Sequence, residues 1–247
     1  MRRQPAIKIL FLLAFAGNGI CVELDLNEVV KFYINKMGAE NVESYSLGSD
    51  YPYWTKERHP KYPITARVTN FSYSKAEYLD LNFRSTVCRD KFVWKFNSVL
   101  WSPCVIPVDQ VIYGMHEGKP TLLPVQLHLD NRPSIEWEPQ KWNITDGPVT
   151  ISLVKHSCEF RAEVLFDGWF VYKMKQQVGI QDNLGYVAEG VDKLANESLG
   201  LVEKGDHLLE YTMTGMYTHT MICSPTRNIK EVVECIDPEY KRIIDGR

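Results

Sequence analysis

Apolar and polar residues repeat along this chain with two different periods. Between residues 26 and 37, apolar side chains fall at Leu26, Val29, Val30, Tyr33, Ile34 and Met37. That spacing lines one face of an α-helix, with Asp25 or Asn27 able to cap its start and Gly38 to end it. From residue 64 onward the period shortens to two. In Glu159-Phe160-Arg161-Ala162-Glu163-Val164, one face is apolar and the other charged, as a half-solvated antiparallel strand requires. Tyr78-Leu79-Asp80-Leu81-Asn82-Phe83 alternates for half its length.

Predicted strands span 64–70, 78–84, 91–96, 99–106 with a break at Pro103, 110–113, 124–129, 149–155, 159–166, 169–174, 207–213, 216–222 and 229–234. Gly147-Pro148 and Asp167-Gly168 mark turns, and the second is a hairpin signal. Residues 187–201 place Val191, Leu194 and Ala195 together and predict a short second helix. Residues 41–63 are rich in Ser, Tyr, Pro and charge and read as a long loop whose Tyr51-Pro52-Tyr53-Trp54 lies against a surface. Many short strands with regular turn signals predict a mainly β fold. The expected form is an antiparallel β-sandwich or barrel with a short N-terminal helix and one further short helix. No composition break asks for a second domain, so residues 17–247 read as one β-rich extracellular unit.

The start of the chain changes how the rest is read. Met1-Arg2-Arg3 and Lys8 precede the apolar run of residues 9–16, and Ala14-Phe15-Ala16 has the small-x-small form of a cleavage site. This is the pattern of a signal peptide cut before Gly17. The run is interrupted by Gly17, Asn18 and Gly19, short of the roughly 20 residues that a spanning helix needs. The expected product is secreted and carries no membrane span. Losing Arg2, Arg3 and Lys8 with the leader moves the formal charge from −3 to −6. Nucleic acid is therefore not an expected partner, because phosphate recognition needs a basic footprint.

Export also gives the cysteines and sequons a default reading. Six cysteines occur, at 21, 88, 104, 158, 223 and 235. In an oxidising compartment disulfides are expected, and proximity suggests Cys88–Cys104 and Cys223–Cys235. If cleavage removes Cys21, one of the remaining five is left over. Asn70-Phe71-Ser72, Asn143-Ile144-Thr145 and Asn196-Glu197-Ser198 are candidate glycan acceptors at Asn70, Asn143 and Asn196.

No nucleophile elbow, zinc-protease motif, phosphate loop or dinucleotide fingerprint occurs. The histidines and cysteines lack ligand spacing, so no metal or other cofactor is expected. His116-Glu117-Gly118 reads as a turn rather than an acid–base pair. His128 and His219 alternate with apolar neighbours and read as sheet-face residues. Ile135-Glu136-Trp137-Glu138 raises the thought of paired carboxylates beside sugar-stacking rings, but core or interface anchoring is the simpler role for Trp137 and Trp142.

Several short pieces resemble the extracellular ligand-binding domain of pentameric Cys-loop receptors and the acetylcholine-binding proteins. Trp101-Ser102-Pro103 is similar to the family's Trp-x-Pro element. Lys155-His156-Ser157-Cys158-Glu159-Phe160 looks like the lead-in to its signature cysteine, and Leu165-Phe166-Asp167 like the segment that follows. Cys235-Ile236-Asp237-Pro238-Glu239-Tyr240 resembles the cysteine-pair loop that closes over the ligand. The chain departs from that pattern in lacking both the loop-closing partner of Cys158 and a cysteine adjacent to Cys235. The resemblance implies a non-catalytic recognition protein that binds a small cationic ligand by cation–π contact. Trp101 and Tyr240 would be aromatic contacts, with Cys235 in the closing loop and an oligomer as the assembled form. The rival expectations are a secreted protein–protein interaction or structural glycoprotein, and an exported hydrolase.

Overall fold

The computed structural model describes residues 22–38, 41–56, 60–74, 83–84, 87–116, 119–139, 152–175, 185–224 and 228–229. Its first half runs β1 (Val22–Asp25), α1 (Leu26–Gly38), β2 (Val42–Ser46), α2 (Pro52–Lys56), β3 (Thr65–Tyr73), β4 (Phe83–Arg84), β5 (Val87–Phe96) and β6 (Ser98–Trp101). The second half runs β7 (Pro107–His116), β8 (Lys119–His128), β9 (Ser134–Trp137), β10 (Ser152–Asp167), β11 (Trp169–Met174), β12 (Tyr186–Gly190), β13 (Leu201–Gly205), β14 (Leu208–Ser224) and β15 (Asn228–Ile229). The fold is mainly β, its sheets are largely antiparallel and its helices few, consistent with a β-sandwich.

Two strands dominate. β10 has 16 residues and β14 has 17, and they pair antiparallel from Ser152↔Cys223 to Asp167↔Leu208. Each is roughly 50 Å long at the usual rise of a strand. Where the sequence predicts two strands in each region, the chain makes one. The reason is that the alternation never changes phase. Cys158, Phe160, Ala162, Val164 and Phe166 share the inner face of β10, and Leu209, Tyr211, Met213, Tyr217, His219 and Met221 that of β14. Gly215 looks like a break but serves packing. A Cβ there would run into the Lys95 carbonyl and the Phe160 ring. The bare backbone lets that ring lie across the strand.

β5 pairs with the other edge of β14, β9 with β5, and β3 with β10 across a register shift at Glu163/Val164. The order β3-β10-β14-β5-β9 forms one slab, and β13 joins β14 at one end. Its inner face carries a ladder of rings. Trp94 and Tyr217 lie 5.2 Å apart, Phe96 meets Phe160 edge-on at 5.4 Å, and Phe71 stacks on Phe160 at 5.5 Å. Trp94 Nε1 donates to the Tyr73 hydroxyl at 3.0 Å, so its one polar atom is satisfied in the core.

The Asp167-Gly168 turn is not a hairpin. β11 leaves the slab and pairs with β12 and β2 in a separate three-stranded sheet. Gly168 takes φ +131°, and a Cβ would sit 2.8 Å from the Pro63 carbonyl oxygen, so only glycine turns this corner. The predicted loop over 41–63 therefore contains β2, recruited as an edge of that sheet, and α2. The predicted second helix over 187–201 is β12, two turns of 3-10 helix at Val191–Leu194 and Glu197–Leu199, and the start of β13. Gly190 in extended conformation and Gly200 at φ +73° interrupt the helical path, which apolar spacing alone does not reveal. α1 forms where predicted and buries Leu26, Val30 and Ile34, while Met37 points outward at 64% exposure. Among the described residues, no helix is long and apolar enough to cross a membrane.

Candidate functional site

The feature that the slab does not explain is the hairpin laid on it. β7 and β8 pair along ten residues each, from Pro107↔His128 to His116↔Lys119. Alternation sends Val108, Ile112, Leu123, Val125 and Leu127 inward, where all are buried. The outward face is apolar as well. Val111 is 46% and Leu122 49% exposed, with Pro124 opposite Val111 and Tyr113 opposite Leu122. Polar contacts gather at the base, where Gln126 Nε2 donates to Asp109 Oδ1 at 3.0 Å. Asp109 and Lys119 are the only Asp, Glu, Lys or Arg residues of the two strands. Among the described residues no third strand pairs with either edge. Pro120 and Pro124 deprive β8 of amide hydrogens, whereas β7 has its only proline at its first residue. β7 is therefore the edge better able to accept another strand.

Two polar turns hold the hairpin's base. The Asp130 carboxylate accepts from Ile106 N at 2.9 Å, and the Leu129 amide donates to the Ile106 carbonyl at 3.0 Å. The Asn131 side chain accepts from Ser102 N at 3.0 Å and donates to Ser102 O at 3.2 Å. Asn131 itself takes φ +58°, a conformation that its short polar side chain tolerates.

Under the hairpin lies a buried polar layer. His219 Nε2 and Asp90 Oδ1 are 2.7 Å apart, with side chains 3% and 0% exposed. Phe92 stacks on the His219 ring at 4.5 Å and 18°. His156, the direct cross-strand partner of His219, is also buried, with ring centroids 6.2 Å apart. Burial, and after it the neighbouring His219, lowers the His156 pKa from its ordinary value. The hairpin closes on this layer through Gly114. A Cβ there would sit 2.9 Å from Phe92, 2.9 Å from Leu123 and 3.0 Å from Asp90 Oδ2.

A second polar cluster marks the Gly168 corner. Asp167 Oδ1 accepts from the Tyr62 hydroxyl at 2.7 Å and lies 2.9 Å from His207 Nδ1, and Trp169 packs on the His207 ring at 4.2 Å. The Asp167 bond raises the Tyr62 pKa. His207 adopts φ +51°, and its backbone amide donates to Asp192 Oδ1 at 3.0 Å. These contacts tie the corner to the segment before β3, to the turn between β13 and β14 and to the Val191–Leu194 turn, which makes it a clasp between the two sheets. Among the described residues no group of three His, Cys, Asp or Glu could hold a metal ion.

The residues singled out from sequence do not converge. Trp101 ends β6 at 39% exposure. Tyr240, Cys235, Asn143 and Trp142 lie outside the described residues. Glu136 forms an ion pair with Lys91 at 2.6 Å, and Trp137 packs on Phe92 at 5.6 Å. Cys104 is a free thiol that donates to the Ile64 carbonyl at 3.3 Å, and burial raises its pKa. The proposed Cys88–Cys104 bridge is therefore corrected. Cys88 is instead the cross-strand partner of Cys223, placed there by the β5–β14 register that sequence proximity could not supply. Nothing among the described residues supports the glycoprotein expectation. Asn70 lies within β3, where the sequence predicts the strand over 64–70, and is exposed. The Asn196 carbonyl oxygen is occupied as a cap, accepting from Ser198 N at 3.1 Å and Ser198 Oγ at 2.6 Å.

No protein-family model matches the chain, and no curated protein matches it. Solved structures do. The Cry23Aa1 and Cry37Aa1 binary protein complex is similar at a TM-score of 0.43 and 9% identity, over 87% of this chain and 98% of the other. A non-toxic crystal protein from Bacillus thuringiensis gives 0.43 and 9%, over 83% and 94%. The Mpp75Aa1.1 beta-pore-forming protein from Brevibacillus laterosporus gives 0.26 and 6%, over 86% and 95%. None of the three is a receptor ligand-binding domain, and the resemblance to Cys-loop receptors is overturned. The residues that carried it are placed accordingly. Cys158 sits buried in the middle of β10 with Leu165-Phe166-Asp167 continuing the same strand, so no loop follows the cysteine. The small-cation binder falls with it, because the core rings stack on one another instead of lining a box.

Proposed function

We propose that this chain is a membrane-acting protein whose β7–β8 hairpin is the element that engages the bilayer. The observation that carries the reading is the hairpin itself: ten residues per strand, apolar on both faces, without a ladder partner among the described residues. A strand crossing hydrocarbon at a tilt needs about 9–11 residues, which each strand supplies. The outward face of Val111, Tyr113, Leu122 and Pro124 has no reason to stay apolar in water. Hydrocarbon offers no water to the backbone, so an inserted hairpin must find its edge partners in protein. The exposed edge of β7 supports association of several copies at the membrane. This assignment rests on the hairpin, since structural likenesses with TM-scores below 0.5 carry no weight for function.

The test is direct. Full-length protein is mixed with phospholipid vesicles holding a self-quenched dye, and binding is read in parallel by flotation. Binding with dye release, both abolished by Val111→Glu/Leu122→Glu, is the expected outcome. Absence of binding across neutral and anionic vesicles at about pH 7.5 and about pH 5, where histidine charge differs, would overturn it.

A further inference from the structure

The hairpin is held down over a layer that cannot take up charge without changing. Asp90 from β5, His219 from β14 and His156 from β10 stand side by side on the inner face of the slab. Phe92 and Trp137 extend the same layer toward β9. From the hairpin, Gly114 of β7 meets this layer at Phe92 and Asp90. The next layer along the slab brings Cys158 and Tyr217, both buried. Lys91 and Glu136 form their ion pair with exposed side chains. His116 ends β7, two residues beyond Gly114.

We infer that Asp90, His219 and His156 form an acid-sensitive latch: when His156 takes up a proton, the buried layer gains a positive charge beside His219 and the β7–β8 hairpin lifts to let water reach it. Charging an imidazole in a dry layer is opposed by lost hydration. The slab cannot open to relieve this, because β10 and β14 are paired along their whole length. The hairpin can, because among the described residues no ladder joins β7 or β8 to the slab, and Gly114 is where it packs on Phe92 and Asp90. The direction follows from linkage. His156 binds its proton less readily in the closed form than in water, where the ordinary value is 6.5. The released form therefore binds more protons as pH falls. Closure is stabilised above about pH 6.5 and lost progressively below it. If the membrane reading above holds, this latch regulates the exposure of that same hairpin. The latch itself is defined without reference to lipid.

Hydrogen exchange on the full chain in lipid-free solution tests it, with rates corrected for the pH dependence of intrinsic exchange. Between about pH 7.5 and about pH 5, amides of residues 107–128 should lose protection by about tenfold or more, while β10 and β14 keep theirs. His156→Phe and the neutral His156→Gln should each move the midpoint down by about one pH unit or more, whereas His116→Gln should leave it in place. Unchanged protection of the hairpin, loss of protection throughout the slab at once, or a midpoint that follows His116 instead of His156 would overturn the latch. If both His156 variants fail to fold, the wild-type exchange profile alone decides between local and global opening. Vesicle binding at about pH 7.5 with a hairpin that stays protected at about pH 5 sinks the latch and leaves the membrane reading standing. Acid-dependent opening without vesicle binding at any pH does the reverse.

Discussion

The slab and the hairpin are both antiparallel and both bury an apolar inner face, but they differ in their outer face and in what surrounds them. In the slab, β14 has a strand on each side along most of its length, so most inward residues are held between two ladders. In the hairpin, each strand has one ladder partner among the described residues, and Gly114 packs against Phe92 and Asp90 of the slab. The slab's outer face is charged and hydroxylated, with Arg161 bonded to Glu163 at 3.1 Å and Ser157 to Thr218 at 3.2 Å. The hairpin's outer face has Val111 and Leu122 in the equivalent role. One region is built to stay and the other has reasons to leave. Alternation makes a strand, but the number of its ladder partners decides whether that strand is scaffold or moving part.

The contrast can be broken from the slab side with the largest effect. Trp94→Ala removes a fully buried ring and the partner of Tyr73 and should destabilise the whole protein by about 4 kcal/mol. Denaturant unfolding should show one transition moved to lower concentration. A loss confined to the hairpin would mean the slab is not the scaffold. Gly215→Ala, which drives a methyl into Lys95 and Phe160, should cost about 3 kcal/mol in the same global transition.

A smaller, local effect is expected at Gly114. Gly114→Ala should cost about 2 kcal/mol, because Phe92, Leu123 and Asp90 all crowd the new methyl. Hydrogen exchange should rise in residues 107–128 and not in β10 or β14; a uniform rise would erase the distinction between the regions. The smallest effect on stability belongs to the outer face. Val111→Ser and Leu122→Ser should change unfolding free energy by less than about 0.5 kcal/mol, as exposed sites do. The same pair should weaken vesicle flotation severalfold. A variant that is stable and still binds would remove the outer face from the membrane-facing surface.

Much of this arrangement was legible in the residues. The helix over Leu26–Ile34, the strand Trp169–Met174 and the mainly β character follow from local period, since burial of one face is a demand each segment makes by itself. His219 reads as a sheet-face residue, and the structure places it on the inner face. The segments 110–113 and 124–129 were recognisable as strands. Their pairing into one two-faced hairpin needed the register, and the turn signal at Asp167-Gly168 was misleading because Gly168 turns a corner between sheets. The latch was hidden for the same reason. Asp90, His156 and His219 are separated by scores of residues and meet only because three strands align. One cue did exist: Asp90, Phe92 and Trp94 alternate, so the carboxylate had to share a face with two large rings.

The resemblance to ligand-binding receptor domains shows the opposite limit. Short matches such as Trp101-Ser102-Pro103 and the segment around Cys158 have the same letters as a binding loop but occupy a strand end and the middle of a strand. What the sequence by itself determined was the local alphabet of this protein: an N-terminal amphipathic helix, strands with one apolar face, and glycines where side chains cannot fit. Only the tertiary structure decided which strands fuse into 16- and 17-residue rails, which hairpin has no third strand among the described residues, and which buried acid meets which histidine. The physical reason is range. Periodicity is set by neighbours a few residues away, whereas register and the charge of a buried layer are set by strands that the sequence keeps far apart.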